Sequence, residues 1–521
     1  MHLNGIVTNR EYQNNLSPLQ CENIKNVIAI SKKFADESGI SIKDPGEITP
    51  DSIIIESGHQ PNFLPYPGIF KKMYLLCQMQ SLLQKNGKRA IPFFGFADQN
   101  ICTAQLLFEN QLPAYNKQGK EKIGFKISKN DKWKRFNTLK KPDEKSFQNA
   151  IETIIHFYSE NMKKVKQPNS HIDDNLQDVC QILWKSYDKA RTFSEMNEFI
   201  ISLIATELFE LEVYFFRYSD VQKNFIFCTE WENVIRKKES YSHVYNSTIR
   251  NFALPIPKIT DSYLPFWYHC RCGGLADPQI YEGNKWLIRC PICREEQIIE
   301  AGGHVRQIKE QFSQISPKAV FRNLVFSEGL GTSFFISGSG GGLQYGIISN
   351  EMADHFNLNK PTSIAWKSRD YYLGISHIHA IREFNKFFDS TYTDVLDGET
   401  NELISRSREK LEKKMSDVTN PTTQKKELKK IKGKLANIPI QVELIRNCFS
   451  TTPSILDLLV NLNARDAINE WNIIVNNEPL SNKNGFYIIY ADVSYNTHQN
   501  EIIPVTQLAT LFEKFEEIEV T

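Results

Sequence analysis

Between residues 52 and 100 the chain reads strand, loop, helix, strand, and this order restricts the fold more than any other feature of the sequence. Residues 52–56 (SIIIE) are a short apolar run of β-branched side chains, the pattern of a buried strand. The next stretch, SGHQPNFLPYPGIFKK (57–72), holds three prolines, two glycines, one His, one Gln and one Asn. From Gly68 to Leu83 the apolar residues Ile69, Met73, Leu76 and Leu83 recur with helical spacing. RAIPFFGFADQN (89–100) then reads as a second strand. Two strands joined through a helix favour a parallel pair with a right-handed crossover. In open parallel sheets ligands lie at the carboxyl ends of strands. The stiff 57–67 loop and Asp98-Gln99-Asn100 are expected at two such ends, facing each other.

The rest of the chain is consistent with a large α/β protein. Its 521 residues allow two to four domains. A helix over 17–38 is expected, capped by Ser17 with Pro18 in its first turn. Residues 113–145 are Lys-rich and read as a surface excursion; 146–165, 172–190 and 194–211 read as helices. EVYFFRY and KNFIFCT are expected to add strands to the same sheet. TSFFISGSGGGLQYGIIS (332–349) repeats the strand, glycine turn and helix pattern. Residues 377–436 read as a helical hairpin or coiled coil broken at Asn420-Pro421, with 11 Lys/Arg against 5 Asp/Glu over 401–436. A strand near 485–493 and an amphipathic helix near 504–517 complete the tail. The expected division is a core over 1–264 with a helical insertion at about 113–212, a ribbon at 265–297, core again at 298–376, the hairpin at 377–436, and an α/β segment at 437–521.

The charge balance is +1, so no global field draws the chain to nucleic acid or to a membrane. No run reaches the ~18 apolar residues that a spanning helix needs. The opening residues MHLNGIVTNREYQNN lack an apolar core, so no secretory signal is expected. Six cysteines are scattered (Cys21, Cys77, Cys102, Cys180, Cys228, Cys448), which fits thiols in a reducing cytoplasm better than a disulfide frame.

The other four cysteines carry the sharpest signal. Cys270-x-Cys272 and Cys290-x-x-Cys293 flank seventeen residues, as two knuckles around one zinc ion would. Gly273, Gly274 and Pro291 suit tight turns, and Trp286, Leu287 and Ile288 offer a covering strand. Four thiolates close the coordination sphere, so the expected zinc is structural. His269 is an adjacent alternative ligand. His377 and His379 lack Cys or acidic neighbours and are not expected to hold a second metal.

The glycine turn places Gly338, Gly340 and Gly341 between a strand and a helix. There bare backbone can approach a phosphate or carboxylate, although a merely flexible turn has the same composition. It is neither the usual GxGxxG nor a GxxxxGK[ST] loop, which argues against a P-loop nucleotidase. Arg322 follows an apolar pair and is expected to be partly buried with an anionic partner, a ligand or a structural Asp.

SGHQPNFLPYPGIFKKMYLL, IPFFGFADQN, SPKAVFRNLVFSEGLGTSFFISGSGGGLQYGIIS and PTSIAWKSRD occur in the order and spacing of the bacillithiol biosynthesis cysteine-adding enzyme (BshC) family, which the chain resembles over most of its length. The ribbon is a departure. So are Gly58-His59-Gln60, where the family pattern is Gly-Gln-Gln, and SGSGGGLQY, where it is Gly-Gly-Pro-Gly-Glu. The first block, from His59 to Tyr66 and on to Lys72, also resembles the shorter WbqC-like family. The resemblance implies an α/β fold with a Rossmann-like parallel sheet related to class I synthetases, carrying here a zinc-ribbon insert and a C-terminal helical hairpin. It implies a ligase that forms an amide between an amino acid carboxyl (cysteine in the family) and the amine of a sugar conjugate. ATP is the expected activating nucleotide, and a homodimer through 377–436 is implied.

Within that expectation His59 would stabilise developing phosphate charge, or only cap a backbone carbonyl. Gln60 and Asn62 would read ligand hydroxyls or amides, or form the turn. Lys72 would contact phosphate or carboxylate, or be solvated. Asp98 would bind or orient the incoming amine, or cap its loop. Gly58, Asn100, Arg322, Gln344 and Tyr345 complete the expected binding set with the glycine turn. Lys367 and Arg369 lie where related synthetases keep a mobile basic loop, and a plain surface pair is the alternative. Two other readings stand beside the ligase: a WbqC-like transferase acting on nucleotide sugars, and an RNA-facing synthetase-like protein. No RNA-binding signature supports the last, so small-molecule substrates are the expected partners.

Overall fold

The computed structural model describes residues 2–8, 15–166, 170–282, 285–300, 312–338, 341–397, 400–418, 421–497 and 503–519. Its centre is a seven-stranded sheet: β1 (Ile53–His59), β2 (Ala90–Phe96), β3 (Tyr214–Arg217), β4 (Phe334–Ser337), β5 (Thr362–Lys367), β6 (Leu480–Lys483) and β7 (Phe486–Tyr490). The spatial order is β6-β7-β5-β4-β1-β2-β3. Every neighbouring pair is parallel except β6–β7. The chain starts at β1, steps outward through β2 to β3, then returns to the other side of β1 and steps outward through β4, β5 and β7. The winding therefore reverses between β1 and β4, the kind of switch point at which open parallel sheets bind ligands.

Strand alternation divides the core in two. Ile53 and Ile55 of β1 join one apolar cluster with Phe70, Met73 and Leu76 of helix α2 (Gly68–Lys85). Ile54 points the other way, into a cluster with Leu324 of α3 (Ala319–Leu330) and Met352 of α4 (Gly341–Phe356). Both faces are thus covered, which is why the strands read as unbroken apolar runs. Helix α1 (Pro18–Ser38) lies along β3. Its capping box, Ser17 Oγ to the Gln20 amide and Gln20 Oε1 to the Ser17 amide, begins where Ser17 predicted.

Some expected elements differ. KNFIFCT is not a strand: helix 218–223 passes through a turn into helix 228–236. Phe225 and Phe227 adopt positive φ (54° and 66°), which a strand forbids. Phe227 is buried against Phe326, their centroids 4.9 Å apart, so tertiary contact fixes a conformation that local alternation misreads. Residues 113–145 are also more than a loose excursion. Glu109–Pro113 pairs with Lys120–Gly124, and Phe136 is buried in the same cluster as α2. The basic hairpin is present as Thr400–Ser416 followed by Pro421–Phe449. Its second helix runs past 436 and enters the core through Ile438, Val442, Ile445 and Phe449, so the expected boundary at 436/437 falls inside one helix. Among the described residues no helix is long and apolar enough to cross a membrane.

The C-terminal segment is tied to the helical layer by one buried acid. Asp457 accepts hydrogen bonds from Tyr158 Oη (2.7 Å), from Tyr372 Oη and from Asn461 Nδ2 (3.2 Å). Burial pushes its carboxyl up to about 6. Asp457→Ala strands two buried hydroxyls at once, so stability should fall by about 2–4 kcal/mol, read as a lower urea midpoint at unchanged slope. An unchanged midpoint would show that the two tyrosines find other partners.

Candidate functional site

The 59–67 loop is held from four directions. Asn197 Nδ2 donates to the carbonyls of Pro61 (2.7 Å) and Leu107 (2.9 Å). Asn110 Nδ2 donates to Phe63 O (3.1 Å) and to Leu64 O. The Phe63 amide donates to Leu106 O, and the Ile455 amide to Pro65 O. Prolines limit the backbone and distant donors fix its carbonyls, so the loop is a rigid floor. Leu64 sits at φ +46°, a strained value kept by these bonds.

His59 ends β1. Its Nδ1 lies 2.7 Å from the carbonyl oxygen of Gln60. A carbonyl only accepts, so the neutral ring carries its proton on Nδ1 and keeps the Nε2 lone pair free. Burial, reinforced by the Lys72 charge, pulls its pKa down to about 3. Capping a carbonyl, one of the two readings of this residue, therefore happens and leaves a basic nitrogen uncommitted.

Lys72 is buried, not solvated. Its Nζ donates to Gly58 O (2.7 Å) and lies 5.6 Å from the centre of the Phe94 ring. Burial and then the Arg322 charge bring its pKa down to about 7. Arg322, in the first turn of α3, makes no ion pair among the described residues, and its Nε is buried without a partner. The expected anionic partner is therefore missing at salt-bridge range. Its guanidinium stacks on Tyr218, 5.0 Å from the ring centre.

Tyr218 and Glu56 escaped the sequence reading. A Cβ at Gly58 would come 2.3 Å from Tyr218 Oη, and one at Gly95 would come 2.4 Å from Tyr218 Cε1. The two strand glycines thus make room for this ring. Glycine inside a strand was the available signal of a close approach, but it could not name the residue. Glu56 is 1% exposed, accepts from Thr332 Oγ1 (2.8 Å), and is pushed up to about 7 by burial. Arg322 opposes that rise, so the two sense each other.

Other expected site residues have different duties. Asp98 is buried and holds the Ser219 amide on one oxygen and Asn137 Nδ2 on the other, both at 3.0 Å, so it closes a loop. Asn100 uses its carbonyl on the Phe136 amide (3.0 Å). Arg369 forms a bidentate pair with Glu516 and stacks on Tyr371 at 5.0 Å. Lys367 is exposed at the end of β5. Gln60 and Gln344 are half-buried, while Asn62 is buried with Oδ1 unpartnered. Tyr345 packs against the α3–α4 cluster. Gly338 follows β4 and Gly341 opens α4, next to the His59 loop because β4 pairs with β1. Gly340 lies outside the described residues.

The four clustered cysteines converge. Cys270 and Cys293 sulfurs are 3.5 Å apart, Cys272 and Cys290 sulfurs 3.4 Å, and all four lie within 4.8 Å of one another. Thiolates around one tetrahedral zinc would be about 3.8 Å apart, so the set fits a metal such as zinc. Gly273 (φ +88°) turns the first knuckle. His269 is committed elsewhere, its Nε2 to Ser316 Oγ (2.9 Å) and its Nδ1 to Arg135 (3.2 Å), so it is not a ligand in this arrangement. His377 sits among Tyr372, Phe449 and Phe512, and His379 bonds Asn161. The ribbon is also wired to the site. Ile315–Pro317 pairs with ribbon strand Phe266–His269 and leads directly into α3, and Lys318 pairs with Asp277 at 2.6 Å. The cysteine-clustered ribbon is thereby joined to the helix that carries Arg322.

At the end of β1 three basic side chains therefore meet with one deep carboxyl. Burial chiefly holds His59 and Lys72 below their usual pKa values, and an anion placed there would relieve the smaller, repulsive part of that effect. Compared with models of protein families and with curated proteins, the sequence matches none.

His59 should stay in the Nδ1–H form with Nε2 unprotonated from pH 8 down to 5, checked by long-range ¹H–¹⁵N correlation on histidine-labelled protein and assigned with His59→Gln. A folded pKa below the unfolded one means the folded state refuses a proton that the unfolded chain takes, so the stabilising contribution of His59 is lost as pH falls from 6.5 towards 3. A His59 titration centred near pH 6.5 would sink the assignment.

Proposed function

We propose that the chain is a ligase-like enzyme that binds an anionic substrate group in the crevice between β1 and β4. The observation that carries this reading is the convergence of His59, Lys72 and Arg322 on the carboxyl end of β1 without a salt-bridged acid. The strand order, with the parallel strands running third, second, first, fourth, fifth and sixth across the sheet, is that of a Rossmann-like core, whose ligands lie at this switch point. Together with the resemblance to the cysteine-adding family, these features support formation of a C–N bond between an amino acid carboxyl, cysteine by that resemblance, and the amine of a sugar conjugate or other small metabolite.

The chemistry assigns a task to each side chain. A carboxylate is a poor electrophile, and ATP would supply its activation. Lys72 and Arg322 neutralise phosphate or carboxylate charge where water is excluded. The acceptor arrives as an ammonium ion and must lose a proton before its lone pair can attack. His59 Nε2, unprotonated, orients the amine by accepting a hydrogen bond, and the proton passes to water. Carbon–nitrogen bond formation then expels the activating group with its oxygen. Four thiolates hold structural zinc in the ribbon, away from this chemistry. The hairpin is the surface we assign to dimer formation. A nucleotide sugar would offer its diphosphate to the same Lys72 and Arg322, so the transferase alternative predicts the same site with a different ligand.

Thermal melting with ATP, cysteine, UDP-glucose and glucosaminyl malate separates these readings. A ligand at 100 times its Kd should stabilise the fold by about 2.7 kcal/mol. Shifts with ATP and cysteine that vanish in Lys72→Met and His59→Gln support the ligase. A shift with UDP-glucose alone supports the transferase, and no shift with any of them removes both.

The purified protein should contain one zinc per chain by elemental analysis, and chelation should lower its melting temperature. Cys272→Ser should lose the metal, whereas His269→Gln should retain it.

A further inference from the structure

Near-neutral overall charge argues against a polyanionic partner, but the charge is not evenly spread. Residues 117–145 hold eleven Lys/Arg and four Asp/Glu in a chain whose balance is +1. Packed against helix 144–165, this lobe leaves a groove of about 760 Å³ walled by Lys122, Lys126, Lys134, Lys140 and Phe125. A second depression of about 350 Å³ meets it at Thr153 and adds Tyr115, His156 and Lys164. The two form one track along the helix.

Of the acids on this track, Asp131 pairs with Lys134 at 2.7 Å, Asp143 caps the helix through the Ser146 amide at 2.9 Å, and Glu160 pairs with Lys163 at 2.9 Å. Glu121 also lines the second depression, and Lys122 pairs with Glu109 at 3.0 Å. Lys126, Lys140 and Lys164 are exposed and make no ion pair among the described residues. A separate element adds to the same surface. The first cysteine knuckle docks on the lobe through Arg135 N to Gly273 O (3.1 Å) and a bridge between Lys134 and Gly274. That docking brings in Arg271, which is exposed and unpaired. Trp133, between two groove residues in sequence, is 46% exposed, and Phe125 is half-buried.

We infer that this track binds single-stranded nucleic acid, with phosphates on the unpaired lysines and a base stacked on Trp133. A concave path with cations and an exposed aromatic ring suits a single strand. A duplex reader would instead project a helix or ribbon into a groove, and a flat bilayer cannot follow a concave wall.

Fluorescence anisotropy with a 12-nucleotide oligouridylate and its deoxy counterpart, from 50 to 200 mM KCl, tests this on the full-length protein. Binding should weaken steeply with salt. Lys126→Gln/Lys140→Gln/Lys164→Gln should reduce the log–log slope by about 2, near 0.7 per lost phosphate contact. Trp133→Ala should weaken binding about tenfold. Lys410→Gln/Lys413→Gln/Lys414→Gln, in the equally basic hairpin, should change neither. Preference for RNA over DNA would identify contacts to the 2′-hydroxyl. The proposal is overturned by no binding at 50 mM KCl, or by binding that the hairpin variant abolishes and the groove variant leaves intact. Unchanged melting temperatures of the variants exclude misfolding as the cause.

Discussion

The bond from Lys72 Nζ to the Gly58 carbonyl determines how the centre of this protein is organised. An ammonium ion 5% exposed, with one carbonyl and one aromatic face as its surroundings, is costly to keep charged. Replacing it with an apolar residue of similar size would serve packing better. The bond nevertheless fixes α2 to the end of β1, and the same charge depresses His59 across the strand end. Arg322 then approaches from α3, on the other face of the sheet, and lowers Lys72 further. Two cations, Lys72 and Arg322, and the neutral His59 on two faces of one strand end form an arrangement that a bound anion would stabilise.

Gly58 makes this arrangement possible. A side chain there would occupy the space of Tyr218, and without Tyr218 the Arg322 guanidinium would lose its platform. Gly95, beside it on β2, meets the same ring. Glu56, two residues earlier on the same face, supplies the one negative group that Arg322 senses. The site is thus built from a strand, the helix after it, a tyrosine from the far edge of the sheet, and an arginine more than two hundred residues downstream.

That distribution explains what could be read in advance. The strand–loop–helix–strand unit was legible because strands covered on both faces leave unbroken apolar runs. The cysteine knuckles were legible because a tetrahedral ion imposes short spacings. His59 stood out because a stiff loop surrounds it. Tyr218 did not, since only the three-dimensional overlap with Gly58 and Gly95 reveals it. The loop-closing bonds of Asp98 were not legible, because the sequence could not show that Asn137 and the Ser219 amide would reach it. KNFIFCT looked like a strand because Phe227, held by Phe326, imitates alternation while turning the chain.

The ribbon links these observations. Its outer strand continues through Pro317 into α3, and Lys318 clasps Asp277 just before Arg322 begins the site. Its first knuckle, facing the other way, packs on residues 134–138, where Asn137 reaches Asp98. One cysteine-clustered lobe of about thirty residues therefore braces both the helix that carries Arg322 and the lobe that carries the basic track. A flexible loop in that position would let Arg322 swing away from Tyr218, and the mutual repulsion of Lys72 and Arg322 would favour that movement. Four cysteines pulled into one cluster supply the rigidity that holds like charges together before any ligand arrives.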